Sequence, residues 1–208
     1  MSAPVRRVLT EQRSVFLTFD DGPDPQTTPQ VLQVLRARGA RATFFMVAQQ
    51  AQAHRSLLAG IEEHGHAIGN HSLDHRYGAF FGGRRRMLRW IEQSQRAFAD
   101  LGCSAIVGFR PPAGVRTPEL HWALDQLGLP LVLWSRRFLD SLLPWNVARA
   151  DRALVNTQQG EIVLLHDRQR EKNREQFLRT LDHYVAQLQD SGFKLDALPA
   201  LARSVNGS

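Results

Sequence analysis

Short runs of consecutive apolar residues alternate along this chain with longer stretches in which apolar positions recur every three or four residues. An unbroken apolar run of strand length suits a strand buried on both faces, and the three-to-four spacing suits a helix with one buried stripe. Val15-Phe16-Leu17-Thr18-Phe19 is the first such strand. Thr28 follows as an N-cap with Pro29 at the first helical position, the apolar stripe Val31, Leu32, Val34, Leu35 comes next, and Gly39 is a stop. The alternation continues with a strand over Ala42–Val47, a helix over Arg55–His64, a strand over Ala67–Gly69, a long helix over Arg84–Leu101 and a strand over Ile106–Phe109. Thr117-Pro118 repeats the cap-then-proline device before a helix that ends near Gly128. A strand over Leu131–Trp134, a helix over Asn146–Thr157, a strand over Ile162–Leu165, a helix over Arg174–Asp190 and a strand over Phe193–Leu195 complete the series.

Repeated βα units predict an α/β fold around a parallel sheet or barrel. About seven units in 208 residues fall short of a full eight-stranded barrel, which takes about 250 residues. The expectation is a compressed, incomplete (β/α) barrel with about seven parallel strands, one domain over residues 1–208 with its core at about 15–195. Reactive groups in such folds gather where strands end, so the residues just after each strand carry the chemical reading.

Composition changes little of this picture. Hydrophobic residues at 43% and charged residues at 22% are ordinary for a globular protein. A net charge of +6 suits an anionic partner, with Arg84-Arg85-Arg86 and Arg136-Arg137 as local concentrations. The first run opens a predicted helix and reads as a solvated face; the second follows a strand and is expected at the rim of the site. Nucleic acid is not the expected partner, since no helix-turn-helix, zinc-finger or aromatic-basic pattern accompanies the charge. Cys103 alone cannot form an internal disulfide, and neither the opening residues Met1–Arg7 nor any later stretch has the apolar length of a signal peptide or membrane span, so the expected location is cytoplasmic.

Four strand ends carry candidate chemistry. Asp20 and Asp21 in Thr18-Phe19-Asp20-Asp21-Gly22-Pro23 repel each other unless one binds a cation and the other accepts a proton, although Asp-Gly-Pro is also ordinary turn chemistry. His71 and His75 in His71-Ser72-Leu73-Asp74-His75 are spaced to meet one ion from a single helical turn; with a carboxylate from another strand end they make a two-histidine, one-carboxylate metal set. Arg110-Pro111-Pro112-Ala113-Gly114 is a stiff loop able to present backbone N–H groups, and Leu164-Leu165-His166-Asp167 puts a histidine at the end of the most apolar strand.

These four segments, in this order, resemble the polysaccharide deacetylase family, also known as the NodB-homology domain or carbohydrate esterase family 4. The resemblance spans roughly Val15 to Leu195. It implies a hydrolase that removes acetyl groups from amino sugars, with Asp20 as catalytic base, His166 as general acid and Asp21, His71 and His75 as ligands of Zn2+ or another divalent metal such as Co2+, Ni2+ or Mn2+. Arg110 would orient Asp20, and Asp140 would restrain Arg110 through a buried charge pair. The backbone N–H of Ala113 would hold the oxyanion and Leu164 would line the acetyl pocket. Family members usually have aromatic side chains where Ala113 and Ser141 stand, so Trp134 or Trp145 is the candidate replacement wall.

In the expected reaction Asp20 takes a proton as water attacks the amide carbon, and His166 protonates the departing amine. The expected partner is an N-acetylated sugar in an oligo- or polysaccharide or a lipid-linked form, with a negative charge near the reacting group. Removal of another small acyl group such as formyl, and a silent sugar-binding domain on the same fold, are the competing readings. A haloacid-dehalogenase-like phosphatase is discounted, because the second residue after Asp20 is Gly22, not the aspartate that chemistry requires, and paired histidines do not suit a hard-oxygen magnesium site.

Overall fold

In the computed structural model, which describes residues 3–103 and 105–201, the chain runs through alternating strands and helices. β1 (Ser14–Asp20) leads to α1 (Thr28–Ala37), β2 (Thr43–Met46) to α2 (Ala48–Ala53) and α3 (Arg55–Glu63), and β3 (Ala67–Asn70) to α4 (Arg84–Asp100). β4 (Ile106–Phe109) precedes α5 (Pro118–Leu127), β5 (Arg136–Arg137) precedes α6 (Val147–Leu154), β6 (Ile162–His166) precedes α7 (Glu171–Asp190), and β7 (Lys194–Leu195) comes last. The sheet order is β4-β3-β2-β1-β6-β5 with β7 beside β1, and every strand pair is parallel. This is the expected seven-stranded parallel α/β architecture.

The edges are stitched together, not laddered. Leu131–Trp134, expected as a full strand, makes only isolated bridges, Leu131 to Phe109 and Val132 to Val5. Its neighbours change within a few residues: Phe109 and Val5 flank Leu131–Leu133, and β6 takes over at Ser135, whose N–H donates to the Ile162 carbonyl (3.0 Å). No long ladder can form while partners change so quickly. The short β5 then joins β6, so one segment connects the two ends of the sheet.

Alternation along β1 explains how a polar site coexists with a buried strand. Val15, Leu17 and Phe19 face the helices, where Phe19 stacks on Phe44 at 5.1 Å. Phe16, Thr18 and Asp20 take the opposite face, toward the interior that Phe45, Val107, Val132 and Ile162 fill lower down. Phe177, Leu181, Tyr184, Val185 and Leu188 form the buried stripe of α7. Their spacing of three or four is what made that helix recognisable.

Two helix starts differ in detail. Thr117 caps α5 as expected, accepting from the Leu120 N–H (3.2 Å), and Gly128 ends it at φ 67°. At α1, Thr27 occupies the N-cap without a side-chain bond and Thr28 is already helical. The Thr28 hydroxyl is engaged elsewhere, donating to Asp167 Oδ2 at 2.6 Å. The alanine- and glutamine-rich α2 and the 3-10 turn Tyr77–Phe81 were not expected, since neither carries a clear apolar period. Among the described residues no helix is long and apolar enough to cross a membrane.

Candidate active site

Register places the central pair. Asp20 and His166 are direct partners on adjacent parallel strands, both on the last residue and both on the interior face. Asp20 is 3% exposed, and its Oδ1 accepts from Arg110 Nη1 at 2.7 Å. Arg110 is fully buried; the same Nη1 donates to Thr18 Oγ1 (2.8 Å), Nη2 donates to the Leu133 carbonyl (3.2 Å), and the guanidinium lies 3.9 Å from the Phe45 ring centroid. Burial works against this cation and pulls its pKa below the ordinary arginine value, while the Asp20 charge partly restores it. Both partners are hydrogen-bonded, so the pair fixes one carboxylate oxygen and leaves Oδ2 toward the cavity.

Asp21, His71 and His75 form the expected metal set by a different geometry. Asp21 Oδ1 lies 3.3 Å from His71 Nε2 and 3.1 Å from His75 Nε2, and the three ligand atoms fall within 4.8 Å of one another. The histidines do not share a helical turn: residues 71–76 are irregular, with Ser72 at φ 81° and His75 at φ 59°. Asn70, which the sequence reading passed over, builds this loop. Its Oδ1 accepts from the Ser72 N–H (2.8 Å) and its amide donates to Ser94 Oγ (2.7 Å) and Gln95 Oε1 (2.6 Å). His71 Nδ1 donates to the Arg110 carbonyl (2.8 Å), which turns Nε2 toward Asp21, to donate to it when protonated and to meet an ion when not. Burial disfavours the Asp21 carboxylate, but hydrogen bonds from protonated His71 and His75 and the charges of His71 and His166 prevail and hold its pKa well below the usual carboxylate range. A borderline-soft divalent ion fits this donor set, since two free imidazole nitrogens and one ionised oxygen already converge.

Asp140 does not pair with Arg110. Its Oδ1 lies 3.0 Å from His166 Nδ1, and its Oδ2 accepts from the His166 backbone N–H (2.8 Å) and from Gln169 Nε2 (3.0 Å). The expected restraint on the base is therefore a restraint on the histidine. Arg110 satisfies its donors with Asp20, Thr18 and backbone carbonyls instead. Burial disfavours the His166 imidazolium, but the Asp140 hydrogen bond and charge, helped by Asp20 and Asp21, outweigh it and raise the pKa to about 9. Next in sequence, buried Asp167 packs so tightly on Gly22 that a Cβ there would sit 2.3 Å from Asp167 Oδ2. Only glycine fits after the Asp20-Asp21 pair.

Asp20, Asp21, His71, His75 and His166 line a cavity of about 220 Å³ with Ala113, Trp134 and Leu164, three of the expected pocket residues. A Cβ at Gly114 would meet the Trp134 ring at 2.8 Å, which explains the glycine beside Ala113. Trp145 is not a wall of this cavity: it is 2% exposed and packs on Phe138, Tyr184 and Phe177 with centroids 4.6, 5.6 and 5.8 Å away. Tyr77, Arg137, Leu139, Ser141 and Leu142 complete the lining, and sequence patterning did not single out the roles of Tyr77, Leu139 or Leu142. Of the basic pair, Arg137 faces the cavity while Arg136 is held by Glu161 at 2.8 and 3.1 Å. Among the described residues, the non-glycine positions with positive φ are Asp21, Ser72, His75, Ala113 and Leu139. All lie in or beside this site, where strain of about 1–3 kcal/mol each is tolerated because surrounding contacts over-determine the backbone.

Residues 7–132 match the polysaccharide deacetylase family. A chitooligosaccharide deacetylase of Azorhizobium caulinodans is 32% identical over 203 residues, covering 93% of this chain and 96% of its own. A peptidoglycan-N-acetylglucosamine deacetylase of Bacillus cereus is 29% identical, with 94% and 91% covered. A solved family 4 carbohydrate esterase from Streptomyces lividans, in complex with acetate, superposes with a TM-score of 0.79 at 27% identity, over 94% of this chain and 98% of that one. With its strand-end carboxylates and histidines brought together on this sheet, the chain belongs to the polysaccharide deacetylase family.

Proposed function

We propose that this protein is a metal-dependent hydrolase that removes N-linked acetyl groups from an amino sugar within an oligo- or polysaccharide or a lipid-linked sugar. The observation that carries this reading is the meeting of three elements at one cavity: Asp20, held from behind by buried Arg110, the Asp21, His71 and His75 ligand atoms, and His166, held from behind by buried Asp140. Similarity to chitooligosaccharide and peptidoglycan-N-acetylglucosamine deacetylases supports the substrate class.

Asp21, His71 and His75 would hold Zn2+, or Co2+, Ni2+ or Mn2+ in its place, and the ion when bound would supply Lewis acidity for the carbonyl and for the attacking water. Asp20, with Oδ1 anchored by Arg110, uses Oδ2 to take the proton as the water oxygen bonds to the amide carbon. The Ala113 N–H, on a loop made rigid by Pro111 and Pro112, is the donor assigned to the oxyanion, a contact worth about 3–4 kcal/mol in the barrier. His166, held through Nδ1, presents its other ring nitrogen and protonates the amine as the carbon–nitrogen bond breaks, leaving acetate and a free amino sugar. Trp134 and Leu164 close the acetyl side. Arg137 at the same cavity favours an acceptor that carries negative charge near the acetamido group.

Acetate release from an N-acetylglucosamine tetramer tests the reading, before and after chelation and after Zn2+ is restored. Activity that vanishes with the chelator and returns with Zn2+ is expected. Acetate release indifferent to chelation, or formate release in preference to acetate from matched substrates, contradicts it.

A further inference from the structure

Beside the catalytic cavity runs a second, larger groove of about 940 Å³ that shares His75 and Tyr77 with it. Arg86, Arg89 and Gln93 of α4 line one side, their spacing of three and four placing them on one helix face, and Gln49 and Arg76 also line the groove. Asp74, the only carboxylate lining it among the described residues, is already satisfied, with Oδ2 3.0 Å from Arg76 Nε and Oδ1 accepting from Trp90 Nε1 at 2.9 Å. Among the described residues neither Arg86 nor Arg89 has an acidic partner. Two uncompensated guanidinium groups one helical turn apart repel each other, and their planar forks match carboxylate and phosphate oxygens. The glutamine amides suit sugar hydroxyls, which both donate and accept.

We propose that this groove is a substrate subsite for a glycan unit bearing an oxyanion, a carboxylate or a phosphate, with Arg86 and Arg89 as the specificity-determining residues. The acetyl group enters the cavity between Asp20 and His166, and the neighbouring part of the chain passes His75 and Tyr77 into the groove. The Arg84-Arg85-Arg86 run is then not only a solvated face: Arg86 turns into the groove, while Arg84 lies 5.9 Å from the centroid of Trp122. The subsite rests on the deacetylase reading for its place on the substrate, but anion binding there is measurable without turnover.

The test is calorimetric binding in the Asp20→Asn background, so that no oligomer is consumed. Three probes separate the sources of charge: a neutral N-acetylglucosamine tetramer, an alternating N-acetylglucosamine–N-acetylmuramic acid tetrasaccharide with lactyl carboxylates, and the neutral tetramer carrying a 1-phosphate. Arg86→Gln/Arg89→Gln should lower the anionic-over-neutral affinity ratio by about tenfold for at least one charged probe, as expected for losing two partly exposed charge contacts. Whichever probe responds identifies the oxyanion. Arg36→Gln/Arg55→Gln, which removes the same charge from outside the groove, should keep the wild-type ratio. An unchanged ratio in the Arg86/Arg89 variant, or an equal fall in the control, overturns the subsite. Failure of the deacetylase reading shows separately, as an absence of acetate release by the wild-type protein from all three probes.

Discussion

A single carboxylate decides how the proposed acid behaves with pH. Asp140 hydrogen-bonds both the ring and the backbone of His166, and its charge outweighs the burial that would otherwise discharge the imidazole. With a pKa of about 9, His166 stays protonated across neutral pH and loses its proton only as pH rises through that value. Activity that needs the proton should therefore fall on the alkaline side. Asp140→Asn should move that limb of the kcat/KM profile down toward about 6.5, the ordinary histidine value; a limb that stays in place assigns it to another group. The same sign applies to stability, since a raised pKa in the fold favours the native state at low pH and the benefit is lost as pH rises through about 9. Asp20, Asp21, His71 and His166 could be singled out from the sequence because each sits at or next to a strand end, and His75 because it follows His71 at a ligand spacing. The partner of Asp140 could not, because a carboxylate 26 residues from its histidine and 30 from Arg110 gives no sign of which it faces.

At the scale of elements, the loop after β1 depends on contacts that come from far along the chain. Asp167 accepts from Thr28 and lies against Gly22, so β6, α1 and the Asp20-Asp21 loop meet at one buried carboxyl. Gly22→Ala should force that loop to move, because its new methyl would overlap Asp167. A loss of bound metal together with activity is expected, checked by metal analysis and acetate release; retention of both at wild-type levels contradicts the packing described. Thr28→Val removes the hydroxyl donor to Asp167 and should cost about 1–3 kcal/mol by urea denaturation. Strands and long helices were legible from their apolar periods, and the parallel sheet followed from their alternation. The His71–His75 loop was not: correct spacing suggested a helical turn, whereas Asn70 and left-handed backbone at Ser72 and His75 bring the same side chains together. Spacing specifies how far apart two ligands sit along the chain, and not the path between them.

For the whole molecule, the aromatic residues divide between site and core in a way composition could not foretell. Trp134 faces the cavity, and Trp145 is sealed among Phe138, Phe177 and Tyr184 under α7. Trp145→Ala should therefore lower unfolding stability by about 3–5 kcal/mol. Denaturation is the check; a raised KM with unchanged stability would return Trp145 to the pocket. The seven-stranded sheet brings residues from β1, β3, β4 and β6 to one end, and from that arrangement comes the central claim that Asp21, His71 and His75 hold the metal while Asp20 serves as base. The most direct test measures bound metal and acetate release from the same samples of wild type, Asp20→Asn and His71→Ala. Asp20→Asn should keep its metal and lose activity by at least about 10²-fold, whereas His71→Ala should lose both. An Asp20→Asn protein that sheds its metal, or that releases acetate at the wild-type rate, would contradict the division of labour between the two aspartates.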